Sequence, residues 1–145
     1  MPFLALSALI LIVGCIKGLS GEDDWICSGG TWVKHGMPAR PMPTTLCNNT
    51  NMKVTNLKIN QEVTFPFIIS GEAKVFENQF NYRIKDSKGT LLKEGVIYAK
   101  DGKFEVKITS IKTKDTEIVV EVFDESAKDG SEIDKIIIPL QVKSS

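Results

Sequence analysis

Two groups of side chains in this sequence have the types and spacing to do chemistry. Asp124, Glu125 and Asp129 fall within one short run, Phe123-Asp124-Glu125-Ser126-Ala127-Lys128-Asp129-Gly130. Carboxylates this close are hard oxygen donors of the kind that Ca²⁺ collects. The run lacks the alternating carboxylates and terminal Glu of an EF-hand loop, and Lys128 sets a cation among them. The competing reading is a structural corner, in which Asp124 and Ser126 accept local backbone N–H bonds and Gly130 takes a positive φ. That reading is preferred, with calcium kept as the weaker alternative. The second group is Cys27, His35 and Cys47, where His35 is the only histidine. A structural zinc takes four ligands, usually including a close Cys pair. No Cys-x-x-Cys exists here, so no metal or other cofactor is expected. Trp25 and Trp32, with His35 nearby, could offer a sugar-binding face. Alternatively the two indoles are the miniature core of their own loop.

Catalysis finds no footing in these residues. A nucleophilic triad needs a positioned base, and the single histidine sits between the two cysteines. No Gly-rich phosphate loop opens a helix, and paired carboxylates alone do not make a glycosidase. The chain reads as a non-enzyme. Lys plus Arg equals Asp plus Glu at 18 each, so there is no basic excess of the kind a nucleic-acid footprint requires.

The third cysteine belongs to a different setting. Phe3 to Val13 is apolar apart from Ser7. About eleven residues at ~1.5 Å each make a helix of roughly 17 Å, short of a ~30 Å hydrocarbon core. The run therefore reads as the apolar region of an export signal rather than a span. It ends Ile12-Val13-Gly14-Cys15, which resembles the bacterial lipoprotein cleavage box. That resemblance implies cleavage before Cys15 and lipidation of its thiol. The first cation, Lys17, follows the run instead of preceding it, so an ordinary cleaved signal and an uncleaved anchor stay open. All three place the rest of the chain outside the cytoplasmic membrane. In that compartment Cys27 and Cys47 are expected to form a disulfide, closing a segment too small to hold itself otherwise. Ser28-Gly29-Gly30 suits a hairpin turn between the tryptophans. Pro38, Pro41 and Pro43 demand an extended return. Asn48-Asn49-Thr50, a formal glycosylation sequon, reads as polar linker.

From Val54 the texture changes to short alternating apolar runs with no helical period. A first edge strand is expected over Val54–Ile59. A second is expected over Val63–Ser70, with Pro66 confining its front half to an edge or bulge and Gly71 ending it. Phe80, Tyr82 and Ile84 alternate against Asn81, Arg83 and Lys85. Asp86 to Gly89 turns the chain, and Leu91–Tyr98 follows, broken at Gly95. Asp101-Gly102 is a hairpin signal. Phe104, Val106 and Ile108 then line one face, as do Ile118, Val120 and Val122, with Val119 and Phe123 facing the other way. Ile133–Val142 closes the chain. About seven strands with a turn every eight to twelve residues is the spacing of an immunoglobulin-like antiparallel β-sandwich.

These residues also resemble a family, the immunoglobulin-like domain associated with bacterial spore germination (the Gmad group). The likeness runs through Pro66-Phe67-Ile68-Ile69-Ser70-Gly71-Glu72-Ala73, Phe76-Glu77, the turn from Asp86 to Gly89 with Leu92, the corner Phe123 to Gly130, and Pro139 in the last strand. It implies an exported binding or assembly module. The expected organisation is a signal over 1–14, a lipid-anchor and Cys-bracketed segment over 15–53, and the sandwich over 54–143. The expected role is a non-enzymatic, lipid-anchored envelope protein on the extracytoplasmic side. Its partners would be the membrane through the lipid, and an envelope protein or cell-wall glycan.

Overall fold

The computed structural model describes residues 23–143. The signal region and Cys15 lie outside the described residues. Alternating apolar and polar side chains give a strand one buried face, and the described residues form ten strands. Two form a small hairpin, β1 (Asp24–Ser28) and β2 (Thr31–His35). The others form the sandwich: β3 (Met52–Val54), β4 (Gln61–Val63), β5 (Phe67–Ala73), β6 (Gln79–Asp86), β7 (Leu91–Tyr98), β8 (Lys103–Ile108), β9 (Glu117–Glu125) and β10 (Glu132–Val142). A five-stranded sheet, ordered β4-β10-β9-β6-β7, faces a three-stranded sheet, ordered β3-β5-β8. Pairing is antiparallel except at the edge, where β4 runs parallel to β10.

Register places the apolar residues in rows across the larger sheet. Tyr82, Val122 and Ile136 make one row, and Ile84, Val120 and Ile138 the next. Met52, Val54, Phe67, Ile69, Phe104 and Ile108 answer from the smaller sheet, all buried. Phe80 and Phe104 join the layers edge to face, with ring centroids 5.0 Å apart, a geometry that the ring quadrupoles favour. The expected all-β immunoglobulin-like sandwich is what forms.

Several local expectations are corrected. The first sandwich strand is Met52–Val54, not Val54–Ile59. Beyond Val54 a side chain takes over from the backbone: Asn56 donates to the Ile68 carbonyl (2.8 Å) and accepts from the Ser70 N–H (2.8 Å). The run Val63–Ser70 is not one strand. It divides at the cis Phe65–Pro66 bond between β4 in one sheet and β5 in the other. Gly71 does not end a strand, because β5 continues to Ala73; a Cβ at Gly71 would lie 1.8 Å from the Lys53 carbonyl oxygen. Nor does Gly95 break β7. It makes room for the Tyr82 ring, which a Cβ there would meet at 2.7 Å.

Candidate functional site

The corner follows from β9 leaving the sheet. Phe123 is buried on the outer face, and beyond it the polar run folds on itself. The Asp124 carboxylate accepts from the Glu125 N–H (2.8 Å), and Ser126 Oγ accepts from the Lys128 N–H (3.2 Å). The Ser126 carbonyl accepts from the Gly130 N–H (2.8 Å), and Gly130 has φ +70°. Asp129 accepts from the Ser131 hydroxyl (2.7 Å) and N–H (3.1 Å), and those bonds hold its carboxyl below the ordinary range. The three acidic side chains Asp124, Glu125 and Asp129 are not drawn to a common point. Among the described residues no group of three or more His, Cys, Asp or Glu side chains is placed to hold an ion.

Cys27 and Cys47 are joined by a disulfide, with their Cα atoms 5.3 Å apart. Both thiolates are therefore spent, and the Cys27, His35, Cys47 metal set is closed off. His35 ends β2, opposite Asp24. The two tryptophans share one face of the hairpin, because residues 25 and 27 pair with 34 and 32. Trp25 Nε1 donates to the Arg40 carbonyl (2.9 Å) and Trp32 Nε1 to the Thr45 carbonyl (2.7 Å). The proline-rich return thus satisfies both indoles, which are half-buried. Trp32 also closes a cavity of about 110 Å³ with Met42, Cys47, Ile59, Ile137 and Pro139.

The hairpin is docked on the outer face of β10. Gly30 approaches so closely that a Cβ would lie 2.6 Å from the Lys135 carbonyl oxygen, and its own carbonyl accepts from the Ile137 N–H (3.2 Å). A bulge in β10 between Ile133 and Ile136, with Asp134 at φ +51°, turns further groups toward the N-terminal segment. Asn49 donates to the Asp134 carbonyl (2.7 Å) and Asn51 to the Asp134 carboxylate (2.8 Å). Asn48 brackets Val54, accepting from its N–H (2.9 Å) and donating to its carbonyl (3.3 Å). Leu46 and Cys47 are buried, and Leu46 joins the main core. Asn48-Asn49-Thr50, expected as polar linker, supplies two of these fastenings through Asn48 and Asn49.

Sequence reasoning missed an ion-pair network beside the corner. Arg83 on β6 lies opposite Glu121 on β9, both on the outer face. The Arg83 Nε pairs with Glu121, and its two terminal nitrogens reach Glu132 at 2.5 and 2.9 Å. Lys85 holds the second Glu121 oxygen at 3.0 Å, and Lys135 also pairs with Glu132. The guanidinium lies 4.5 Å above the Phe123 ring, within cation–π range. Hydrogen bonds from Arg83 and Lys135 hold the Glu132 carboxyl down to about 2. Burial pushes Glu121 up, but hydrogen bonds from Lys85 and Arg83 outweigh it and leave that carboxyl below its ordinary value. The available signal was the outward alternation of Arg83 and Glu121. Only the strand register shows that they meet.

Residues 51–131, more than half of the chain, match the family described as the immunoglobulin-like domain of bacterial spore germination. No curated protein and no solved structure shows significant similarity to the chain.

Proposed function

The chain belongs to the family of immunoglobulin-like domains of bacterial spore germination, and on that premise we propose that it is a non-enzymatic binding or assembly module of the cell envelope. In this reading the signal is cut before Cys15, a lipid on that cysteine tethers the protein, and the sandwich faces the extracytoplasmic side. The observation that supports it most is the Cys27–Cys47 disulfide, since such bonds persist in oxidising compartments and are rare in the cytosol. The corner then has a structural task, holding β9 to β10 through its own hydrogen bonds. The two tryptophans have a packing task, since both indole N–H groups are spent on their own segment.

The test is metabolic labelling with a radioactive fatty acid, followed by fractionation of the envelope and a thiol count. We expect label in the membrane-bound protein, none in a Cys15→Ser variant, and blocked Cys27 and Cys47. Label retained by Cys15→Ser would remove the lipid tether. A cytoplasmic protein with both thiols free would overturn the envelope assignment.

A further inference from the structure

We propose that a groove on the three-stranded sheet, walled by Tyr98, is a binding site for a charged cell-wall glycan fragment. The groove holds about 520 Å³, inside the range of roughly 300–1,000 Å³ typical of small-molecule sites. Its floor is the outward face of two paired strands. Ser70 and Glu72 come from β5, and Glu105 and Lys103 lie opposite them on β8. Tyr98 and Lys100 reach it from the end of β7 and the turn that follows.

Two features mark this surface out. Tyr98 is 70% exposed, so a flat aromatic ring stands uncovered at the rim. Such a ring accepts the C–H face of a sugar and keeps its hydroxyl wet. Secondly, the charges here are unspent. Glu72 and Lys103 lie across from each other in register yet form no ion pair, and the side chains of Glu105 and Lys100 and the Tyr98 hydroxyl have no hydrogen-bond or ion-pair partner among the described residues. On the other sheet Arg83, Lys85, Glu121, Glu132 and Lys135 are committed to one another, and among the described residues Glu94, opposite Arg83 on β7, is an outward charge there that forms no ion pair.

The chemistry of the lining selects the ligand class. Carboxylates of Glu72 and Glu105 suit hydroxyls or an ammonium, and the ammonium groups of Lys100 and Lys103 suit a carboxylate. A polyanion such as nucleic acid would meet the two glutamates. A protein partner would need about 800 Å² of surface on this side, more than a concave, polar groove of this size offers. A glycan that carries both an acid and an amine, as a peptide-bearing cell-wall disaccharide does, matches both signs and the aromatic rim. The inference rests on the envelope-binding reading and narrows it to one surface.

The test uses the full chain in detergent, titrated calorimetrically with a purified cell-wall disaccharide-tetrapeptide. Triacetylchitotriose serves as the uncharged comparison. We expect saturable binding of the charged fragment, weakened about tenfold or more in Tyr98→Ala and in Lys103→Gln. Both side chains are exposed, so unchanged melting of each variant is the folding control. Trp32→Ala should retain affinity. Absence of binding, equal affinity for chitotriose, or unchanged affinity in both groove variants would overturn the proposal. Retention on intact cell-wall sacculi separates this failure from that of the broader reading. If sacculi hold wild type and Tyr98→Ala alike, the groove is wrong and the envelope-binding reading stands. If sacculi do not retain the wild type either, the glycan partner falls with the groove.

Discussion

Replacing Arg83 by Met removes the guanidinium that links Glu121 to Glu132 but keeps an aliphatic stem over Phe123. Glu121 is 8% exposed, so its charge depends on its partners. After the change it keeps Lys85 at 3.0 Å, and Glu132 keeps Lys135. Breaking a buried pair from one side costs about 3–5 kcal/mol, whereas a solvent-exposed pair contributes about 0.2–1 kcal/mol. Glu121 retains one of its two cations and Glu132 is partly solvated, so the expected loss near pH 7 is about 2–3 kcal/mol. The pH dependence has a definite sign. Both carboxyls are depressed in the folded state, Glu132 from 4.5 to about 2. Their stabilisation is fully present above the unfolded value and disappears as pH falls through the folded values. The gap between wild type and variant should therefore be widest near neutrality and close between 4.5 and about 2. Urea unfolding followed by tryptophan fluorescence at a series of pH values measures it. Arg83→Lys should fall between the two, since an ammonium cannot make the planar two-pronged contact with Glu132. A loss below about 0.5 kcal/mol near pH 7, the size of an ordinary surface substitution, would refute the network's role. So would a gap that persists undiminished in acid.

Two other perturbations test other parts of the structure. Cys27→Ser with Cys47→Ser, or full reduction, opens a loop whose ends are 20 residues apart; the chain-entropy account puts the loss at about 3 kcal/mol, readable as a fall in the urea midpoint. Gly130→Val places a branched side chain at φ +70° in otherwise open space, so the cost should be backbone strain alone, about 1–2 kcal/mol, and Gly130→Asn should recover most of it in a thermal melt.

The strands that read best in the sequence are those with one wet face. Phe80, Tyr82 and Ile84, and likewise Phe104 and Ile108, alternate cleanly because the opposite face carries polar and charged side chains at least partly open to solvent. Turns were legible where a residue type answers a backbone demand, as at Gly89 with φ +83° and at Asp101-Gly102 with φ +53° and +75°. The errors cluster where a local signal had two structural solutions. Val63–Ser70 is apolar enough for one strand, but the Phe65–Pro66 step hands the chain from one sheet to the other. Gly71 and Gly95 look like interruptions in a one-dimensional pattern. In three dimensions each is a point of close approach by another strand.

The candidate sites divide in the same way. Disulfide pairing followed from cysteine count and the expected compartment, and the corner's hydrogen bonds are local, spanning at most a few residues. The Asn49 and Asn51 fastenings to Asp134 cross more than eighty positions, and they exist because a bulge in β10 turns that residue toward the N-terminal segment.

The amino-acid sequence by itself determined an all-β sandwich and its turn chemistry, because periodicity and φ preferences act over a few residues. Only the tertiary structure decided which charges are spent and which are left available. Arg83 and Glu121 are 38 residues apart and meet because β6 lies beside β9. Glu72 and Lys103 are brought opposite each other by β5 and β8 and yet form no ion pair with each other. Pairing between strands is a long-range result of sheet order and register, which no local pattern of residues encodes.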